Sequence, residues 1–341
     1  MRIAFFDTHH FEKDVFQSAN EKYGFQIEFL DVRLSAKTAR IVEGAEVVCS
    51  FVNDKLNEEC INVLKEMGVK LIALRSAGFN HVDLTAAHKS NLIVTRVPGY
   101  SPYAVAEFGV GLLLTLNRKI HRAYFRVREL NFSLDGLVGF DLHGKTVGVI
   151  GTGRIGKIFA QIMTSFGCRV LAVDLQKDSE LEKNPGITYT DLQSLCRQSD
   201  VISLHVPLTL GTHHIIGEKA LSEMKVGVFI INTGRGALID AKALIKGLKA
   251  EKIGGAALDV YEEEEEVFFH DLSDKILKDD TLARLLTFPN VLITSHQAFL
   301  TKEALGNIAL TTLESIDEFR KTGSVSRSKV VSPEDRIRTG L

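Results

Sequence analysis

Thr146-Val147-Gly148-Val149-Ile150-Gly151-Thr152-Gly153-Arg154-Ile155-Gly156-Lys157-Ile158-Phe159-Ala160 is the stretch of this 341-residue chain on which the fold turns. Its first five residues are β-branched or small, as in a buried strand, and apolar side chains recur at helical spacing after Gly153. Between the two stands GxGxxG, whose glycines have separate tasks. Gly151 permits the tight turn, Gly153 lets a pyrophosphate approach the backbone, and Gly156 lets helix and strand pack closely. Arg154 and Ile155 open the helix, whose free N–H groups and partial positive charge face an anion. Strand, glycine turn and helix in that order predict a dinucleotide-binding βαβ unit. The next apolar run, 170–173, leads into Asp174, eighteen residues beyond Gly156. A carboxylate there accepts hydrogen bonds from the adenosine ribose and repels a 2′-phosphate, which selects NAD over NADP.

The same rhythm extends in both directions. Downstream, strands are expected at 201–204, 228–232, 255–259 and 291–294, with an insertion of short helices over 262–290. Upstream, candidate strands at 3–6, 27–30, 46–51, 71–74 and 93–97 alternate with amphipathic stretches, the pattern of a second parallel sheet. Val97-Pro98-Gly99-Tyr100-Ser101-Pro102 closes that series and starts a helix expected to run to about Arg128, apolar enough to pack on two sides. A last helix over 302–321 is expected to cross back and complete the first domain. The expected division is residues 1–100 with 298–322 as a discontinuous domain and 101–297 as the nucleotide-binding domain. The segment 323–341, rich in Ser, Arg and Lys, is expected to be loosely held.

Bulk properties exclude several classes. With 41 basic and 43 acidic residues the formal charge is −2, so neither nucleic acid nor an anionic membrane is an expected partner. The most apolar helical stretch, 109–116, is too short to span a bilayer, and the first residues look like a strand rather than a signal peptide. Cys49, Cys60, Cys168 and Cys196 show no CxxC pair and no zinc spacing, as in a reduced cytoplasmic protein. His9-His10 and His213-His214 have no carboxylate or cysteine pattern nearby in sequence, and no metal is expected.

The reaction must be sought in the loops after the later strands. Arg235 lies between glycines in Asn232-Thr233-Gly234-Arg235-Gly236, after a strand. A guanidinium there can hold a carboxylate bidentately and polarise its neighbouring carbonyl. His296 follows the last strand, at the carboxyl end where open α/β sheets bind ligands. Histidine is the natural proton donor to a carbonyl becoming an alcohol.

GTGRIG at 151–156, NTGRGALID at 232–240, ALDVYE at 257–262 and SHQAFLTKEAL at 295–305 together resemble the D-isomer-specific 2-hydroxyacid dehydrogenases. FVND at 51–54, RSAGFNHVDL at 75–84, VPGYSPYAVAE at 97–107 and NRKIHRAY at 117–124 are similar to the fermentative D-lactate branch in bacteria. The resemblance covers the chain from the first strand to about Lys321; the segment after Gly323 departs from it. It implies two doubly wound parallel-sheet α/β domains, a flavodoxin-like substrate domain and a Rossmann NAD-binding domain. It implies a homodimer or homotetramer that reduces pyruvate with NADH, or else a bulkier 2-ketoacid. A non-enzymatic NADH-sensing protein is the alternative of another class.

By the same resemblance Arg235 binds the ketoacid, His296 donates the proton, and Glu264 hydrogen-bonds and orients His296. Glu264 lies in the run Glu262-Glu263-Glu264-Glu265-Glu266, where the sequence leaves a one-residue shift open. Val206, Pro207, Thr233 and Gly234 would line the cofactor cleft, with Asp259 near the nicotinamide. Thr212 stands where relatives often carry asparagine. Ala77 and Gly78 would offer N–H groups to the substrate carboxylate, Tyr100 and Phe299 would close the pocket, and Phe51 would limit the substrate side chain.

Overall fold

The computed structural model describes residues 1–264 and 267–335, and the chain divides into two compact units. The smaller comprises Met1–Ser101 with the chain from Leu300 onward; the larger is Pro102–Phe299. Elements in chain order are β1 (Arg2–Phe5), α1 (His10–Asn20), β2 (Gln26–Phe29), β3 (Val47–Ser50), α2 (Glu58–Glu66), β4 (Leu71–Leu74), α3 (Leu84–Lys89) and β5 (Ile93–Thr95). In the larger unit follow α4 (Pro102–Asn117), α5 (Ile120–Arg128), β6 (Thr146–Ile150), α6 (Arg154–Ser165), β7 (Arg169–Val173), α7 (Ser179–Glu182), β8 (Ile187–Tyr189), α8 (Leu192–Gln198) and β9 (Val201–Leu204). Then come α9 (Glu218–Glu223), β10 (Val228–Asn232), α10 (Ala241–Lys249), β11 (Ile253–Leu258), α11 (Asp280–Leu286) and β12 (Val291–Ile293). Helix α12 (Lys302–Thr322) belongs to the smaller unit.

The smaller sheet is parallel throughout, in the order β2-β1-β3-β4-β5. Strands β3 and β4 are buried at every residue, which is why they read as unbroken apolar runs. Thr301 caps α12 by accepting from the Ala304 N–H, and Gly323 ends it at φ 71. Between these caps the helix packs on α1 and β4.

The larger sheet is also parallel, in the order β12-β11-β10-β9-β6-β7-β8. Separate apolar clusters cover its two faces. One is built around Ile202, Leu204, Ile230 and Leu244, the other around Val147, Val149, Phe159 and Leu113. The order reverses between β6 and β9, and such a switch point opens a crevice at the strands' carboxyl ends.

Three expectations are corrected. The helix expected from Pro102 to about Arg128 is two helices, because Lys119 adopts left-handed backbone at φ 52. Strand β8 was not expected; it is three residues long and only Ile187 in it is buried. The segment after Gly323 is not loose over its described part. Val330 bridges Thr95, the Arg96 N–H donates to the Lys329 carbonyl at 2.8 Å, and the Val331 N–H donates to the Val94 carbonyl at 2.9 Å. Val331 is buried in the core of the smaller unit. The pairing satisfies the outer edge of β5, which would otherwise be open. Residues 336–341 of that segment lie outside the described residues.

Candidate active site

The glycine turn has the shape an NAD pyrophosphate needs. Gly151 sits at φ 94, and a Cβ there would lie 2.7 Å from the His205 carbonyl carbon, just beyond β9. A Cβ on Gly156 would fall 1.8 Å from the Gly151 carbonyl oxygen, so only glycine lets α6 start here. A Cβ on Gly153 would meet nothing within 4 Å, which leaves the helix N-terminus open to an anion. Arg154 is exposed and Ile155 half-buried on the first turn of α6. The Asp174 carboxylate accepts from the Thr152 N–H at 2.6 Å and the Gln176 N–H at 3.0 Å, and so is fixed against the turn. Across the crevice the Thr233 hydroxyl is buried and has no hydrogen-bond partner among the described residues. An orphaned hydroxyl at this end of β10 suits a cleft built around a polar cofactor. Val206 is half-buried and Pro207 exposed after β9. Thr212 donates its hydroxyl to the Pro207 carbonyl at 2.6 Å, which closes that loop on itself.

Arg235, Asp259 and His296 each follow one of three adjacent parallel strands, β10, β11 and β12, so the fold delivers all three at one edge. The loop after β12 is organised by Asp259, which has no exposed surface. Its carboxylate accepts from the Thr294 hydroxyl at 2.6 Å, the Gln297 N–H at 2.9 Å and the Ala298 N–H at 2.8 Å. Its carbonyl accepts the His296 N–H at 2.7 Å. Burial pushes the Asp259 carboxyl above the usual range, against these donors. The clamp holds His296 at φ 53, a left-handed backbone unusual for a side-chain-bearing residue.

His296 Nδ1 lies 2.7 Å from Glu264 Oε1, and the Tyr261 N–H donates to the other oxygen of the same carboxylate at 3.0 Å. That second bond turns Glu264 inward, whereas Glu262 faces His214 and Glu263 is exposed. Glu265 and Glu266, the remaining choices of register, lie outside the described residues. The Phe269 ring stands 6.0 Å from the imidazole and was not expected there; nothing in its local sequence signals it. The Arg235 loop is fixed by the Asn232 side chain. Its amide donates to the Arg235 carbonyl at 2.9 Å, and its oxygen accepts the Gly234 N–H at 3.0 Å. The loop lies close on the Glu264 turn: a Cβ on Gly236 would sit 2.0 Å from the Tyr261 carbonyl carbon. Phe299, half-buried, closes the larger unit.

In the smaller unit, Phe51, Ala77 with Gly78, and Tyr100 follow the neighbouring strands β3, β4 and β5. Ala77 and Gly78 are half-exposed, held by Ser76 Oγ donating to the Gly78 carbonyl at 2.8 Å and by Arg96 donating to the Ala77 carbonyl at 3.2 Å. Tyr100 is half-buried, and its carbonyl accepts from Asn307 on α12 at 2.6 Å. Beneath them lies a charged core that the sequence did not announce. Arg75 is fully buried, pairs bidentately with Glu12 at 2.9 Å, and stacks between the rings of Phe5 at 4.2 Å and Phe51 at 4.7 Å. Asp54 accepts the Phe51 N–H at 2.8 Å, and burial pushes its carboxyl up to about 6. Arg75 and Asp54 thus fix where the Phe51 side chain stands.

Comparison with known proteins accounts for this arrangement. The family model for the D-isomer specific 2-hydroxyacid dehydrogenase NAD binding domain matches residues 110–298. The 2-hydroxyacid dehydrogenase homolog 1 of Schizosaccharomyces pombe is 53% identical, over 94% of this chain and 96% of its own. The D-lactate dehydrogenase of Escherichia coli is 50% identical, over 94% of this chain and 97% of its own. The apo structure of the Escherichia coli D-lactate dehydrogenase superimposes with a TM-score of 0.89 at 48% identity, covering 97% of this chain and all of that one. The chain belongs to the D-isomer-specific 2-hydroxyacid dehydrogenases, enzymes of two parallel-sheet α/β domains whose cofactor is NAD.

Proposed function

We propose that the enzyme reduces pyruvate to D-lactate: pyruvate + NADH + H⁺ gives D-lactate + NAD⁺. The observation that carries this is the His296–Glu264 pair, held at 2.7 Å beside the Arg235 loop at the ends of adjacent strands. Bound NADH supplies the hydride to the carbonyl carbon. Arg235 holds the carboxylate and the carbonyl oxygen in its planar fork, which fixes the face presented. Because Glu264 occupies Nδ1, Nε2 of His296 is the nitrogen left to give its proton to the oxygen as negative charge grows there. In the smaller unit, the N–H groups of Ala77 and Gly78 are assigned to the carboxylate and Phe51 to the limit on side-chain size. Gly151, Gly153 and Gly156 admit the pyrophosphate, Asp174 takes the ribose, and Val206, Pro207, Thr212, Thr233 and Gly234 line the cofactor cleft.

The reading extends to assembly. Phe125, Leu130, Phe132, Leu134 and Val138, on α5 and the segment after it, are 64%, 78%, 69%, 80% and 83% exposed. Apolar exposure on that scale marks a protein contact, and a second copy of the chain is the partner proposed.

The test is NADH oxidation across a series of 2-ketoacids with chiral analysis of the product. Pyruvate is expected to give the highest kcat/KM and D-lactate alone. A preference for phenylpyruvate or a branched ketoacid would move the assignment to a bulkier substrate. Arg235→Lys is expected to cost about 3 kcal/mol in kcat/KM, a hundredfold or more, since a point charge cannot replace the fork. Unchanged kinetics in that variant would remove Arg235 from the ketoacid.

A further inference from the structure

His213 and His214 lie in the loop between β9 and α9, and Glu262 in the turn after β11. All three belong to the larger unit and none has a role in the reaction proposed above. The imidazoles stack with centroids 3.9 Å apart and planes 29° apart, and both turn Nε2 toward one carboxylate. Nε2 of His214 lies 2.9 Å and Nε2 of His213 3.9 Å from Glu262 Oε1. One ligand atom from each residue falls within 4.8 Å of the others.

A hydrogen bond to His214 accounts for one imidazole only. At 3.9 Å, His213 makes no hydrogen bond to Glu262, yet its ring is directed at the same oxygen. The backbone of His214 adds to the pattern, since it takes φ 51 and is tied there by its N–H donating to the Ala237 carbonyl at 2.8 Å. Zinc binds imidazole nitrogen and carboxylate oxygen at about 2.0–2.2 Å, so tetrahedral ligands stand roughly 3.3–3.6 Å apart. The two separations from Glu262, 2.9 and 3.9 Å, bracket that spacing, and the ligand atoms of the two imidazoles lie within 4.8 Å of each other. All three side chains are partly exposed, which leaves a route for the ion and room for water.

We propose that His213, His214 and Glu262 bind a zinc-class divalent cation, with water completing a four-coordinate shell. Two neutral imidazoles and one carboxylate are the donor set of a borderline-soft ion rather than of magnesium or calcium. The bound ion would staple the β9–α9 loop to the turn that carries Glu264. Glu262 is two residues ahead of Glu264, and the Tyr261–Glu262 peptide packs on Gly236, next to Arg235. Moving Glu262 from its hydrogen bond with His214 to a position shared between the imidazoles therefore shifts the support of His296, and occupancy slows turnover.

Equilibrium titration of the full chain with zinc chloride tests the site. One ion per chain is expected, with a rise in melting temperature that EDTA reverses. His213→Ala and Glu262→Gln should each weaken binding about tenfold or more. Both variants keep the Glu264–His296 and His9–Asp7 pairs, so zinc taken up by either of those would not respond to the substitutions. No saturable binding below about 1 mM, equal affinity in both variants, or equal binding of magnesium would overturn the site. The turnover arm rests on the reaction proposed above: zinc should lower the rate of pyruvate reduction with the midpoint seen in the titration. Stoichiometric binding with unchanged turnover would overturn the coupling. A chain that binds zinc but reduces no ketoacid would count against the reaction and leave the site standing.

Discussion

At the scale of single residues, the proposed chemistry depends on how each side chain is held. His296 is held twice, through its backbone by Asp259 and through its ring by Glu264. The ring contact yields a separable expectation. Glu264→Gln keeps an acceptor of the same shape but removes the charge beside the ring that is to give up the proton. In the glutamine variant kcat is expected to fall about 10–100-fold at neutral pH, while KM for pyruvate changes little. His205 cannot stand in as the donor, because burial pushes it down to about 3 and it stays neutral. A kcat equal to that of the wild type would show that Glu264 only packs against the ring.

At the scale of elements, most of the fold was legible because parallel strands buried on both faces read as unbroken apolar runs. Strands β3, β4 and β9 are of this kind. Where an element escaped detection, a local rule was overridden. Strand β8 is three residues long with alternating burial at a sheet edge, too short a signal to separate from a loop. The break between α4 and α5 falls at a lysine, a good helix former that nothing in the sequence marks as left-handed. The Arg75–Glu12 pair and the His214–Glu262 contact join residues far apart in sequence, which no periodicity records. Arg235 and His296 were visible only as members of motifs, and Glu264 as the favoured member of a run of five acids with a one-residue shift open; its carboxylate accepts the Tyr261 N–H. The segment after Gly323 was misjudged from its polar composition, since one buried valine and a short antiparallel pairing suffice to fix it. Val331→Ala removes two methyl-sized groups from that core and should cost about 2 kcal/mol of stability in the smaller unit. A fluorescence-detected urea titration of the variant beside the wild type measures it. An unchanged midpoint and slope would mean that the contact contributes nothing to the fold.

At the scale of the whole molecule, composition gives an ordinary globular surface, with 25% of residues charged and a net charge of −2. No helix among the described residues is long and apolar enough to cross a membrane. The distribution of the exposed apolar side chains bears on the assembly proposed above. They are not scattered singly, as on most surfaces, but follow one another along α5 and the segment behind it, where Tyr124 is 57% exposed beside Phe125 at 64%. Helix α5 has no fully buried residue, and its packing on α4 leaves Tyr124, Phe125 and Val127 exposed. A nine-residue helix alone is marginal in water, and a partner covering these apolar side chains would add stabilisation. A second copy presenting the same surface, the partner proposed above, would close as a two-fold dimer. Phe125→Lys combined with Leu134→Lys should place like charges opposite one another across that axis. The double variant is expected to sediment as a monomer at micromolar concentration where the wild type sediments as a dimer, with each sheet's core intact by circular dichroism. If the double variant and the wild type sediment alike, whether as monomers or as dimers, this surface is not the interface between copies.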